Sequence, residues 1–169
     1  MSVSTRRFAV ATLLTGIIAG LVGLACIHLL HWIQAIAWDM HGSTLLEAVS
    51  AVSPARRVGV LTLAGIVGAL SWFLLFSRNK AVTSVSGAVG GAPMPPLRAT
   101  WHALTQVLIV GLGASVGREV APREMAAAFS AAAADRLGLT PEDRRIIVAC
   151  GAGAGLAAVY SIPLSGAIY

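Results

Sequence analysis

A charged segment that reads Gly-Arg-Glu-Val-Ala-Pro, at residues 117–122, separates two apolar stretches and is the strongest candidate for chemistry. A carboxylate at membrane depth is energetically costly, so Glu119 is a functional candidate that lines water or faces a partner. The glycines before it permit close backbone approach. Val120, Ala121 and Pro122 begin a helix whose free amide groups attract an anion. Protonation, or displacement by a mobile anion, would free the carboxylate, which is the behaviour of a gate.

A second interpretation of the same segment is purely structural. Arg118 and Glu119 would then pair with Arg123 or Glu124 in a loop at the membrane surface. The residue types by themselves leave both interpretations open.

A further segment is rich in small residues. Residues 151–155 alternate glycine with alanine, and residues 161–166 read Ser-Ile-Pro-Leu-Ser-Gly. A dinucleotide-binding loop also has spaced glycines, but it needs a preceding strand, a following amphipathic helix and an acidic residue about 20 residues later. The sequence has none of these. Small residues that allow helices to cross closely in lipid explain the pattern better.

Composition indicates where such segments must reside. Of the 169 residues, 57% are hydrophobic and 11% are charged, and the mean hydropathy is +0.82. Soluble domains contain about 25% charged residues, and disordered, collagen-like and disulfide-rich chains have other compositions. We therefore predict an all-α membrane protein, a polytopic helix bundle with broken and re-entrant helices. The length allows about four to six spanning or half-spanning helices.

The apolar runs predict a single transmembrane domain over residues 1–169. They indicate spans at about 8–37, 58–76, 99–116 and 121–134, followed by broken helices over 146–169. A half-helix or re-entrant loop is expected within 81–89, where glycine and proline interrupt the apolar pattern. Thr140 and Pro141, followed by two acidic residues, predict a helix start.

The net charge of +5 reflects topology. Lys and Arg residues occupy the gaps between apolar runs and form no continuous basic face, so no nucleic-acid partner is predicted. By the positive-inside rule, the N-terminus with Arg6 and Arg7 is cytoplasmic. The loops that then also lie inside carry Arg78, Lys80, Arg98, Arg136, Arg144 and Arg145. Glu119 falls on the outer side.

Histidine and cysteine suggest no cofactor or metal site. Both cysteines lie in apolar segments, where they act as small hydrophobic residues. His28 and His31 share one face of the first span; a metal or proton role there competes with an interfacial position beside Trp32 and Trp38 in an aromatic belt. No nucleophile with a base is apparent, so no enzyme activity is predicted.

Two segments in register resemble the CLC family of chloride channels and proton-coupled chloride transporters. Gly117-Arg118-Glu119 with Pro122 is similar to the Gly-Lys/Arg-Glu-Gly-Pro signature of that family. Residues 151–166 are similar to its segment Gly-Ala-Ala-Ala-Gly-Leu-Ala-Ala-Ala-Phe-Asn-Ala-Pro-Leu-Ala-Gly. The spacing between the two segments also matches.

The resemblance implies a homodimer in the bacterial inner membrane, in which each subunit has a pore built from two inverted repeats. This chain would be the first repeat. Chloride would be the transported ion, protons would be a second partner in an exchanger, membrane lipid would surround the protein, and no cofactor is implied. Glu119 would be the external gating carboxylate, and the backbone around Gly117, Arg118, Val120 and Ala121 would hold the external anion.

The sequence departs from the family pattern at both anion sites. Val120 and Ala121 stand where the family has a single glycine before proline, which alters the amide cluster. The Gly-Ser-Gly-Ile-Pro motif is missing, and alignment places Lys80 there as an anion-binding cation near the inner mouth. Alternatively, Lys80 is a positively charged residue that only sets the orientation of the chain in the membrane. Ser84 or Ser86 would then supply the hydroxyl of the anion site.

Two function hypotheses follow. The chain is a CLC-type anion transport protein, or its N-terminal half, acting as a channel or as an exchanger with Glu119 as gate. Alternatively, it is a non-transporting membrane assembly protein that associates through small-residue faces at Gly16, Gly113 and Gly151. A variant of this alternative is a non-functional truncated half of a transporter, because the second repeat and the inner carboxylate that separates exchanger from channel would lie beyond residue 169.

Overall fold

The computed structural model describes residues 3–40, 42, 44–77 and 82–168, and every regular element in these ranges is an α-helix. The eight helices of these ranges are α1 (Val3–Trp38), α2 (Leu45–Ala51), α3 (Pro54–Phe76), α4 (Val85–Val89), α5 (Pro96–Gly111), α6 (Val120–Arg136), α7 (Pro141–Tyr160) and α8 (Pro163–Ile168). The predicted all-α class is confirmed.

Helix starts follow local capping chemistry. The Thr140 hydroxyl accepts a hydrogen bond from the Asp143 amide, and Pro141 occupies the first turn of α7, so the predicted start is confirmed. Ser53 and Pro54 begin α3 in the same way. Each hydroxyl satisfies an amide that has no partner within its own helix.

A capping box begins α2. The Glu47 carboxylate accepts hydrogen bonds from the Thr44 backbone amide and hydroxyl, at 2.8 and 2.9 Å. These bonds, first the one from the backbone amide, lower the pKa of Glu47 because they stabilise its charged form. The connection between α1 and α3 therefore contains a short helix that this capping box anchors.

The structure differs from the predicted spans mainly at α5. The third span was predicted over 99–116, but α5 begins at Pro96 and ends at Gly111. Gly113 has a φ of +96°, a conformation that glycine adopts without steric cost, and it turns the chain out of the helix.

The broken helices predicted over 146–169 are separated at one point, between α7 and α8. Before that point α7 is one continuous helix of 20 residues. Ser161 closes α7 in the left-handed region.

Two of the described helices are long and apolar enough to cross a membrane, within Ser4–Trp38 and Pro54–Phe76. Most of their surface is uncovered by the rest of the chain. The large exposed apolar side chains of α1 include Leu13, Ile17, Leu21 and Leu24. An apolar helix surface of this kind suits contact with lipid hydrocarbon.

The centre of the bundle is α6, which packs against α1, α5 and α7. Small residues make this packing close. A Cβ atom added at Gly155 of α7 would lie 2.5 Å from the Pro122 carbonyl oxygen, and one at Gly151 would lie 2.6 Å from Ser130 Oγ. The backbones of α6 and α7 therefore approach to a distance that only glycine permits at these two positions.

The C-terminal end of α1 is tied to the end of α5. Trp38 is 1% exposed, and its Nε1 donates a hydrogen bond to the Gly111 carbonyl oxygen at 3.0 Å. Of the two tryptophans expected in an interfacial aromatic belt, Trp38 is thus buried inside the chain, because its ring fills the space beside Gly113. Trp32 is 63% exposed and His28 and His31 are also exposed.

Replacing Gly155 with alanine tests the α6–α7 contact. The added methyl group meets backbone in α6, so the helices must separate, and overpacking of this kind costs about 1–3 kcal/mol. The measurement is the free energy of unfolding of the detergent-solubilised protein, followed by circular dichroism. Gly65→Ala is the matched control, since no atom lies within 4 Å of its added Cβ. Equal stability of the two variants would contradict the packing described.

Candidate functional site

The segment that precedes α6 turns the Glu119 carboxylate back over Gly117. Gly117 has a φ of +79°, and a Cβ atom there would overlap both carboxylate oxygens of Glu119. Glu119 itself is half-buried and has helical backbone angles at the N-terminus of α6. Its side chain makes no capping hydrogen bond to the first amides of α6. The carboxylate is therefore held beside Gly117 and the first turn of α6 remains uncapped by it.

Tyr160 is the residue that meets both charged groups of the segment. Its hydroxyl donates a hydrogen bond to Glu119 Oε2 at 3.3 Å. The guanidinium carbon of Arg118 lies 4.9 Å from the centre of the same ring, within the range of a cation–π contact. Tyr160 is the last residue of α7, and Ser161 and Pro163 then turn the chain into α8.

Sequence reasoning missed Tyr160 as a site residue. One feature of the sequence could have indicated it. Tyr160 stands where the family segment quoted above has phenylalanine. Only tyrosine adds a hydroxyl at this position, and that hydroxyl makes the contact with Glu119. The separation of 41 residues hid the pairing.

Val120 and Ala121, which stand where the family has a single glycine, begin the helix. α6 begins at Val120, so Pro122 lies in its first turn, where the missing amide hydrogen would have no partner in the helix. Val120 is half-buried and Ala121 is 1% exposed. Of the backbone predicted to hold an anion, Val120 and Ala121 are thus in the first turn of α6, and Gly117, Arg118 and Glu119 precede it.

A cavity of about 170 Å³ lies next to this segment, between α1, α5 and α7. Arg118 contributes the charged part of its wall and His31 contributes a second polar group. The remaining lining is apolar and consists of Cys26, Ile27, Leu30, Val107 and Val159. Arg118 therefore lines the cavity, and its guanidinium lies over the Tyr160 ring.

The predicted inner anion site is only partly described. Lys80 lies outside the described residues. Of the two alternative hydroxyls, Ser84 begins α4 and accepts a hydrogen bond from the Gly87 amide at 3.1 Å, which is a capping role. Ser86 is exposed.

A second carboxylate, Glu124, lies inside the bundle and not in a loop. It is in α6, is 7% exposed, and its Oε2 is 2.6 Å from Nδ1 of His102 on α5. The predicted span over 121–134 therefore includes Glu124, and the alternative that places Glu124 in a surface loop is wrong, because α6 starts before Pro122. No signal in the sequence linked His102 to Glu124, which are 22 residues apart. In the ranges that the structure describes, no three His, Cys, Asp or Glu side chains form a metal-binding group.

Comparison with known proteins finds similar sequences over most of the chain. A sequence profile described as voltage gated chloride channel matches residues 63–169. The voltage-gated ClC-type chloride channel ClcB of Salmonella dublin is 31% identical over 170 residues, which is 97% of this chain and 40% of that protein. ClcB of Yersinia pseudotuberculosis is 29% identical over 167 residues, 93% of this chain and 40% of that protein. The chain thus spans well under half the length of these relatives. No solved structure matches it.

Proposed function

Because the chain belongs to the voltage-gated chloride channel family, we propose that it is the part of a chloride-transporting membrane protein that carries the external gate, with Glu119 as the gating carboxylate. Members of this family are channels and transporters and not enzymes. The observation that carries the proposal is the position of Glu119, which is tethered before α6 and held through a hydrogen bond from Tyr160.

The gate works by charge. While Glu119 is ionised, its carboxylate accepts the bond from Tyr160 and repels an anion that approaches Arg118 and the first turn of α6. A proton removes that charge and weakens the bond, since hydrogen bonds to ionised groups are the stronger ones. An anion then binds at the backbone of Gly117 to Ala121, beside the positive end of the α6 dipole.

The same group serves a channel or an exchanger. In a channel the proton opens the gate. In an exchanger the carboxylate also transfers the proton, which crosses the membrane in the direction opposite to chloride.

Lys80 is proposed as a cation near the inner mouth, with chloride as its ligand. The proposed assembly is a homodimer in the lipid of a bacterial inner membrane, with the N-terminus and its Arg6 and Arg7 in the cytoplasm.

Replacing Glu119 with glutamine tests the gate. Glutamine has nearly the same shape but carries no charge, so we expect chloride efflux from liposomes to lose its dependence on pH. Efflux of the wild-type protein should rise as the pH falls, and the variant should match the acidic wild-type rate at neutral pH. Asp135→Asn, which removes an exposed carboxylate at the other end of α6, is the control. An unchanged pH response in Glu119→Gln would remove Glu119 from the mechanism.

Replacing Tyr160 with phenylalanine tests the contact that holds the carboxylate. The ring that stacks on Arg118 is kept and the hydroxyl is lost. We expect the closed position to lose about 1 kcal/mol, so that efflux at neutral pH rises up to about fivefold. The efflux curve should move towards higher pH, because less acid is needed to release Glu119. An efflux curve identical to that of the wild-type protein would show that the hydroxyl does not hold the gate.

A second candidate function is helix association without transport. Gly113 and Gly151 face Trp38 and Ser130 inside the chain, but Gly16 and Gly20 have open space beside them. Gly16 and Gly20 line an open groove together with small residues of α7 and α8. Stable oligomers in lipid, measured by crosslinking, together with an absence of anion flux would favour this candidate.

A further inference from the structure

His102 and Glu124 form a buried pair that the gate does not use. We propose that this pair, together with Gln106, is a proton-binding site inside the helix bundle, separate from Glu119. Its ligand is one proton taken from water. The site requires only α5, α6 and their side chains, so it stands whether or not the chain conducts chloride.

The distance within the pair fixes where the proton binds. Nδ1 of His102 and Oε2 of Glu124 are 2.6 Å apart, and both atoms carry lone pairs. A proton must lie between them for this contact to be attractive, and in the pair with a single proton it is on Nδ1, because a proton on Glu124 would leave an imidazolate. One further proton binds at His102 Nε2, after which the shared proton can lie on either Nδ1 or Oε2.

Burial favours the doubly protonated pair. With one proton the two side chains together carry a charge of −1, and with two they are neutral. The side chains are 15% exposed for His102 and 10% exposed for Glu124. A net charge in such surroundings is costly, so uptake of the second proton relieves that cost. The remaining exposure leaves a route for the proton.

Gln106 can form a hydrogen bond with Nε2 of His102 whether or not that nitrogen carries a proton. It is 9% exposed, and its Nε2 lies 3.5 Å from His102 Nε2, where it can donate to the bare ring nitrogen. Its buried Oε1 has no hydrogen-bond partner among the described residues. Rotation of the amide by half a turn exchanges the two atoms, and Oε1 can then accept from the protonated ring nitrogen. The unpartnered oxygen is therefore the acceptor that the bound proton requires.

The elements around the pair place few other titratable groups near it. On the same helices, Arg98 lies one turn before His102 and donates to the Leu75 carbonyl oxygen, and Arg123 directly precedes Glu124. From α3, the uncharged Trp72 ring lies 6.3 Å from the His102 ring. From α1, His31 lines the cavity beside Val107. The charged residues of α7 are confined to 142–145 at its start, where Arg144 pairs with Asp135 at the far end of α6.

Titration of His102 by nitrogen NMR tests the site directly. The protein is labelled with ¹⁵N-histidine and held in lipid nanodiscs, and the His102 signal is assigned by its loss in His102→Asn. We expect Nε2 to take up a proton reversibly between about pH 4 and pH 9. In Glu124→Gln the proton affinity of His102 should fall about tenfold or more, because the neighbouring negative charge is removed.

A matched pair of glutamine variants separates the proton site from general packing. Gln106→Leu removes the amide beside the ring and should also lower the proton affinity, because the bond from a protonated, charged ring to Oε1 is stronger than the bond from Nε2 to the neutral ring. Gln34→Leu, at a buried glutamine of α1, should leave it unchanged. An Nε2 that keeps one protonation state over the whole range, or an unaltered titration in a folded Glu124→Gln, would overturn the proposal. If Glu124→Gln fails to fold, the wild-type titration and Gln106→Leu decide. None of these results depends on chloride flux, so they are independent of the outcome for Glu119.

Discussion

The close contact between α6 and α7 determines where the charged groups of this protein lie. Gly155 faces the Pro122 carbonyl oxygen, so the beginning of α6 touches α7 little more than one turn before α7 ends. Glu119 precedes α6 and Tyr160 ends α7, and the crossing brings these two residues together. A larger side chain at Gly155 would separate the helices and with them the carboxylate and the hydroxyl. The packing of small residues in lipid is thus the condition for the candidate site.

Two carboxylates at the same end of one helix have different surroundings. Glu119 is half-buried and accepts a long hydrogen bond of 3.3 Å from Tyr160, in a turn that glycine makes possible. Glu124 is buried in the helix, with an imidazole nitrogen at 2.6 Å. A weakly held group before the helix can leave its position, whereas a buried and closely paired group is held in place. The first arrangement suits the proposed gate and the second suits the proposed proton site.

Local signals in the sequence predicted the helices well where the physical cause was local. Thr140 with Pro141 marked the start of α7, because capping depends on neighbouring residues alone. The end of α5 was predicted five residues too late, because hydropathy continues beyond Gly111 while the backbone turns at Gly113. The span predicted over 121–134 includes Glu124, whereas the alternative of a surface loop followed from two charges beside a proline. A proline in the first turn of a helix is compatible with that helix.

The membrane environment, the helical class and the family could be determined from the sequence by itself, because they depend on composition and on spacing along the chain. Glu119 could also be selected, since a carboxylate between apolar runs stands out without any partner. Only the tertiary structure decided which groups those charges meet: Tyr160 for Glu119, and His102 for Glu124. The partners are 41 and 22 residues apart along the chain. The helix crossings that bring them together depend on side-chain packing, and residue spacing in the sequence does not predict that packing.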